Sequence, residues 1–494
     1  MTRARFLALN ALSMLLANIL SKLVLFVGYV FLLQYLDASL ESTYYLITAF
    51  AMVICTNFQD GMVSVTIRRI ATDLPNGSRH LGTLYLASLL LAVFLGLVAI
   101  PAAFLYARTQ LEGGGLQGEF ILSTCALTAA YLVGYGYAAA GAGFKGYERL
   151  YLEAILLFVQ SVLNAGILVY GSLHRWPLSS LFFGLLTAAA FHTILSNIVL
   201  VGLVVRPKLH GNVPEAWALF RRSLALGYAT LMRTLQDRIH PFFIDRLAGH
   251  AFITQFSSPN NLLIQLKFIP MSIRPALFPT LARKASQETD EFQVDALALM
   301  KFLYLLGLPL LILLAILRHQ LLPLVTSMDP TFERTYALAL SVYPFVAWAV
   351  ALSFPSQVLR SLFVSLRRPQ FEFHTVLAGV IVLVILDIIL IPRIGVIGCA
   401  YAAVVCELVI LFYGLWLLSR VGRGLKVMSL FFLPTLCGII THLVAEYLYG
   451  THWALGVLSV VLVFPLLVLV LRVIAPIEWR ILREIVRPGW SASP

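Results

Sequence analysis

Apolar residues fill one window of about 20 positions after another along the chain, with only short polar breaks between them. That pattern predicts about fourteen membrane-spanning helices, an all-α polytopic architecture. The spans fall at roughly 7–36, 42–67, 81–107, 119–143, 150–172, 178–204, 222–247, 252–281, 295–317, 335–364, 372–391, 396–419, 427–448 and 452–474. No break is long enough for a folded extramembrane domain. The first run, behind Arg3 and Arg5, exceeds a secretory signal in length and reads as a retained first helix. An even number of spans puts both termini on one side. With the N-terminus inside, inner segments carry about 22 Lys and Arg against about 6 outside, a bias that makes both termini cytoplasmic.

The longest inner connection, 206–221, contains Gly211 and Pro214 and divides the chain. The expected parts are an N-lobe of six helices (1–205), the linker (206–221), a C-lobe of six helices (222–420), and two further helices with a short cytoplasmic tail (421–494). A gapless shift of about 211 residues supports internal duplication. It superposes Phe31 on Phe242, Leu33 on Ile244, Leu36 on Leu247 and Ala71 on Ala282, and also Lys22 on Arg233 and Tyr29 on His240. Two pseudo-symmetric lobes would each present a cation to a central cavity.

Composition narrows the function. The chain is 60% apolar and 12% charged, with a mean hydropathy of +0.90. Its net charge of +12 is spread over helix ends instead of forming a continuous basic stretch, which argues against nucleic acid. Cys55, Cys125, Cys399, Cys406 and Cys437 lie in apolar runs without CxxC spacing, so no metal site, cofactor or disulfide frame is implied. Short outer loops without aspartate-rich motifs speak against a membrane enzyme and for a transporter.

The remaining signal is charge within the spans, where a basic side chain costs about 2.5–3.5 kcal/mol on insertion scales. Arg233, Asp237 and His240 recur at i, i+4 and i+7 and fall on one face of a continuous helix 7, with Arg238 beside them. Asn260, Lys267 and Arg274 form a stripe on helix 8. With Lys22 these give a basic cavity whose candidate ligands are Lys22, Arg233, Lys267, Arg274 and Arg238. Guanidinium and ammonium groups suit phosphate oxygens. Asp60, Asp237, His240, Asp387 and Glu407 are candidates for counter-ions or for coupling to protons or sodium. For Asn57, Gln59 and Asp60 a local helix-packing network near Arg68 and Arg69 is an equal reading. Gln160 and Asn164 read as interhelical hydrogen-bond glue and His192 as a structural histidine. Lys301 and Arg360, near helix ends, read as snorkelling. Pro241 and Pro270 are candidate bend points.

Ile391-Pro392-Arg393-Ile394-Gly395-Val396-Ile397-Gly398-Cys399-Ala400-Tyr401-Ala402 resembles the IPxxGxxGAAxA turn between helices 11 and 12 of Wzx-type oligosaccharide flippases, in the MOP exporter superfamily. Phe144–Arg149 is similar to that family's loop after helix 4, Ile244–Gly249 to its helix 7 exit, and Leu277–Ala282 to the end of its helix 8. Two departures stand out: Cys399 replaces an expected alanine, and Asp387 an asparagine.

The resemblance implies a flippase carrying polyprenyl-pyrophosphate-linked oligosaccharide from the cytoplasmic to the periplasmic leaflet of a bacterial or archaeal cytoplasmic membrane, by alternating access. Membrane lipids, a polysaccharide polymerase and chain-length machinery are its implied partners. A flippase of lipid-linked peptidoglycan precursor is an alternative that also carries two extra helices. A MATE-like exporter of cationic small molecules would want a carboxylate where Lys22 stands.

Overall fold

In the computed structural model the described residues are 3–55, 58–110, 114–209, 212–271, 290–324, 333–366, 368, 370–420 and 427–474. All regular structure among them is helical. The helices are α1 (Arg3–Tyr35), α2 (Ala38–Cys55), α3 (Gln59–Thr72), α4 (Gly77–Gln110), α5 (Gly114–Gly146), α6 (Leu150–Leu173), α7 (Leu178–Leu203), α8 (Val213–Arg238) and α9 (His240–Leu247). There follow α10 (Ile253–Ile264), α11 (Asp290–Ile316), the single turn α12 (Arg318–Leu321), α13 (Glu333–Ser365), α14 (Gln370–Ile394), α15 (Ile397–Arg420), α16 (Val427–Tyr449) and α17 (Trp453–Val470).

Among the described residues eleven helices are long and apolar enough to cross a membrane, or twelve if the bent pair α2 and α3 forms one span. This is short of the fourteen expected. The predicted spans without a counterpart are the seventh and eighth. Arg221, Arg222, Arg233, Asp237 and Arg238 make α8 too polar for that criterion, and the eighth, predicted over 252–281, extends beyond residue 271, where the described residues stop.

Prolines also alter the predicted helices. Predicted span 7 is two helices: α8 stops at Arg238 and α9 starts at His240, with Pro241 in its first turn. Proline lacks the N–H that would continue the ladder, so the helix is interrupted next to it. His240 thus falls on the second helix, across Ile239, whose backbone stays in the right-handed helical region (φ −81°, ψ −29°). Pro214 likewise opens α8 in its first turn, where a proline costs no hydrogen bond, and Asn212 caps it by accepting from the Glu215 amide. The predicted linker is thus helical from Val213 on. Pro270 follows a 3-10 turn at Gln265–Lys267. Arg274 and the Leu277–Ala282 motif lie outside the described residues.

Two compact units form. Of the described residues, those up to 253 form the first and those from 254 on form the second. In the first, α1 packs on α6, α5 packs on α4 and α7, and α8 lies against α2, α3 and α4. Small residues allow the close approach of α3 and α8: a Cβ at Gly61 would stand 2.8 Å from the Ser223 carbonyl, and one at Gly227 would stand 2.6 Å from the Phe58 ring. Arg79 on α4 pairs with Glu215 on α8, and the Lys208 amide donates to the Ser78 carbonyl at 3.0 Å. In the second unit α13 packs on α11 and α15, α15 on α14, and the pair α16–α17 on α11.

One hairpin in each unit is closed by a buried ion pair. Lys145 at the end of α5 reaches Glu153 on α6 at 2.8 Å, and Arg360 Nε near the end of α13 reaches Glu372 on α14 at 2.7 Å. Snorkelling was expected of Arg360. Instead it turns inward, because a carboxylate that is 2% exposed needs a counter-charge. Lys145 is 36% exposed and Arg360 only 20%. Losing the acid strands a more deeply buried cation in the second unit, so Glu372→Gln is expected to lower the melting temperature of the purified protein more than Glu153→Gln. Equal shifts would contradict this ranking.

Candidate functional site

In the first unit the helix break decides which cation meets which. The guanidinium of Arg238, the last residue of α8, lies within electrostatic reach of Lys22 on α1 and of Tyr29, Tyr44 and Tyr131 on α1, α2 and α5. Lys22 is exposed and Arg238 half-buried. The tyrosines form a connected aromatic wall. Tyr29 donates to the Tyr45 hydroxyl at 3.0 Å, the Tyr29 and Tyr44 rings are 6.2 Å apart, and Tyr44 stacks on Phe182 at 5.8 Å. Phenolic groups beside two cations provide hydroxyls and ring faces around a patch that attracts anions.

Sequence spacing singled out Lys22 and Arg238 but not this wall. Tyrosines recurring within apolar spans were the available signal. Glu41, one turn before Tyr45 on α2, is fully buried with the Tyr45 hydroxyl near it; it too escaped the sequence reading. Arg233 and Asp237 are half-buried on α8, and His240 is buried at the start of α9.

Asp60 is exposed at the start of α3, while its neighbour Gln59 is buried. The Gln59 amide donates to Ser88 Oγ at 3.0 Å and to the Tyr135 carbonyl at 3.4 Å, and Tyr135 donates to the Cys55 carbonyl. Gln59 belongs to the packing network between α3, α4 and α5, and Asp60 lies within electrostatic reach of Tyr135 in it. Asn57 lies outside the described residues. His192 is 1% exposed, with its ring 4.1 Å from that of Tyr137.

In the second unit Lys267, in the 3-10 turn after α10, pairs with Glu407 on α15 at 3.3 Å, the side chains being 16% and 6% exposed. A predicted ligand and a predicted coupling acid are therefore partners. Asp387 on α14 is fully buried, and the Cys399 thiol on α15 hydrogen-bonds to it. The two departures from the flippase motif thus meet. Pro270 is buried.

A third charged cluster has no counterpart in the sequence reading. Arg318 on α12 forks onto Glu446 of α16, donating through Nη1 at 2.9 Å and also through Nη2. His319 stacks on Tyr449, whose hydroxyl donates to Gln320 Oε1 at 3.1 Å. The cluster joins the C-terminal ends of α11 and α16.

Known proteins give context to this arrangement. Residues 43–328 match the family described as polysaccharide biosynthesis protein. No curated protein matches the sequence. Among solved structures, the lipid II flippase MurJ in an inward closed conformation aligns with a TM-score of 0.70 at 11% identity, covering 94% of this chain and 99% of that one. A MOP superfamily transporter from Pyrococcus furiosus, whose structure is described as having a binding pocket of reverse polarity, aligns at 0.67 with 13% identity over 84% and 95% of the two chains. An inward-facing multidrug resistance MATE family transporter gives 0.67 and 13% over 84% and 99%. The chain belongs to the polysaccharide biosynthesis protein family and has the fold of the MOP superfamily transporters.

Proposed function

We propose that this protein is a flippase that moves a polyprenyl-pyrophosphate-linked oligosaccharide between membrane leaflets by alternating access. The observation that carries this reading is the position of Arg238, within electrostatic reach both of Lys22 and of the tyrosine wall of the first unit. Two cations hold a pyrophosphate in a way no neutral site does, Arg238 offering the fork that matches phosphate oxygens. Tyr29, Tyr44 and Tyr131 present hydroxyls and ring faces to a sugar. A lipid tail needs no polar site and stays among the apolar outer faces of the helices. The same two cations weigh against a carrier of small organic cations, which they would repel.

Length supports a lipid-linked cargo. The alignment with the lipid II flippase spans 94% of this chain, whereas that with the MATE transporter spans 84%. The proposed role of Lys267 is the holding of Glu407 inside the second unit, not direct contact with the headgroup. Arg233 and Asp237 are assigned to the wall of the same basic surface as Arg238, and Asp60 to its exposed acidic edge. The inner face is assigned to the ends of the helices rich in Lys and Arg, which puts the Lys145–Glu153 hairpin inside.

The deciding experiment is leaflet exchange of a fluorescent polyprenyl-pyrophosphate oligosaccharide in liposomes. Lys22→Ala and Arg238→Ala, each checked for insertion and folding, are expected to slow exchange about tenfold, the effect of removing one charge-assisted hydrogen bond to the headgroup. Lys22→Arg should retain most of the rate. Unchanged exchange in both alanine variants would remove the basis of this reading.

A second measurement addresses Lys267. Glu407→Ala leaves a mostly buried ammonium behind and should destabilise the protein by about 3 kcal/mol. Adding Lys267→Ala should recover part of that loss, giving a coupling energy of about 1 kcal/mol or more in a double-mutant cycle. Strictly additive losses would show that the pair contributes nothing as a pair.

A further inference from the structure

At the opposite end of α8 from Arg238, a second cationic surface forms where α3, α4 and α8 meet. Arg69, in the last turn of α3, lies within electrostatic reach of Arg222 on α8 and of Glu215 in the first turn of that helix. Glu215 is already the partner of Arg79 on α4, so three guanidiniums share one carboxylate. The next acid along the chain, Asp73, is occupied as well: it accepts from Asn76 at 2.9 Å and faces His80 at 3.4 Å. Among the described residues neither Arg69 nor Arg222 has an ion-pair partner of its own. Arg68 and Arg221, exposed beside them in sequence, add to the excess.

Like charges move apart when the backbone allows it, and here packing forbids it. A Cβ at Gly61 of α3 would stand 2.8 Å from the carbonyl of Ser223, the residue after Arg222. Ile70 of α3 and Ala216 and Leu219 of α8 are buried in the same apolar core. The arginines are therefore held near one another by contacts that do not involve their charge. Such a pair repels itself until an anion enters between its members, and guanidinium forks suit phosphate oxygens.

The surface beside the arginines decides which anion. The start of α8 is amphipathic: Ala216, Leu219 and Ser223 are buried, while Val213, Trp217 and Arg221 recur at i, i+4 and i+8 on the other side. Val213 is 52% and Trp217 62% exposed, and Leu209, ahead of the helix, is 74% exposed. A free phosphate or nucleotide would leave these side chains in water. Arginines next to exposed tryptophan and aliphatic groups are the features of a segment at a membrane interface, where an indole sits at headgroup depth. A phospholipid presents a phosphate and an apolar body together, and the positive surface selects one that is anionic overall.

We propose that Arg69 and Arg222 form a binding site for the phosphate of an anionic phospholipid of the surrounding bilayer, with Val213 and Trp217 against its glycerol and upper acyl chains and Arg221 adding attraction. The lipid neutralises the excess charge where the three helices meet and so fastens the start of α8 to α3 and α4. This site is separate from Lys22 and Arg238, and the proposal holds whatever cargo the transporter carries.

Binding of short-chain phosphatidylglycerol to the full-length protein in neutral detergent tests it. Phosphatidylcholine of the same chain length and inorganic phosphate are the comparison ligands, and no polyprenyl substrate is present. Phosphatidylglycerol should bind about tenfold more tightly than either. Arg69→Gln and Arg222→Gln should each weaken it about tenfold, as loss of one charge-assisted contact does, and Trp217→Ala should weaken it comparably through lost apolar contact. Arg175→Gln, in the exposed turn between α6 and α7, should leave affinity unchanged. Equal binding of the two lipids overturns the proposal, a comparison that needs no variant to fold. So does wild-type affinity in Arg69→Gln, Arg222→Gln or Trp217→Ala, or a loss in Arg175→Gln as large as theirs. Inorganic phosphate binding as tightly as the lipid would make this a site for soluble anions and equally overturn it.

Discussion

Taking an ammonium or carboxylate out of water costs several kcal/mol even after the surroundings relax, and only a close counter-charge with good geometry offsets it. Four ion pairs among the described residues answer that constraint by joining two different elements. Lys145 and Glu153 close α5 on α6, and Arg360 and Glu372 close α13 on α14. Lys267 and Glu407 tie the turn after α10 to α15, and Arg318 and Glu446 tie α12 to α16. Apolar helices in a lipid solvent have little hydrophobic drive to choose one neighbour over another. Charges that must find their partners supply the missing specificity: a helix shifted by one turn would strand a buried ion. The pairs therefore set which helices are neighbours and in what register.

Helix breaks work against that rigidity at chosen points. Pro241 has no N–H to complete the ladder, so α8 ends at Arg238 and α9 begins at His240. The break leaves Arg238 at a helix C-terminus, where a cation is favoured by the carbonyl ends of the peptide dipoles. It also frees the short α9 to carry Asp245 toward Tyr106 and His250. Close small-residue contacts at Gly61 and Gly227 hold the preceding part of α8 against α3. One segment thus combines an anchored stretch, a break, and a short helix whose acid takes part in a polar junction.

Much of this was legible in the sequence, and the reasons differ by residue. Hydropathy located the long apolar helices because burial in lipid demands continuous apolar length. Two expected spans do not meet the same measure among the described residues: α8, because the residues that carry chemistry are those that spoil hydropathy, and the eighth, because it runs on past residue 271. Pro241 was readable as a bend because its effect is local. The partner of Lys22 was not: the internal shift places Lys22 on Arg233, but the cation that reaches it is Arg238, since the rotation of a helix about its axis depends on packing that no repeat records. For the same reason Glu407 and Asp387 looked unpartnered in sequence, and their neighbours Lys267 and Cys399 lie on other segments. Tyr29 was visible in the repeat, but its place beside Tyr44, Tyr45 and Arg238 required three helices to be folded together.

Hairpin ion pairs of the same design close α5 on α6 and α13 on α14, one in each unit. The interior charges do not match. In the first unit a lysine and an arginine share a neighbourhood of tyrosines. In the second, the intramembrane lysine is 3.3 Å from a glutamate, and an aspartate is bonded to a cysteine thiol. An anion is drawn toward the first environment and gains little from the second, where the cationic charge is already balanced. Scaffold contacts are constrained by both units having to fold, whereas interior charges are free to differ between them, and under the proposed function only the first unit has to meet an anionic headgroup.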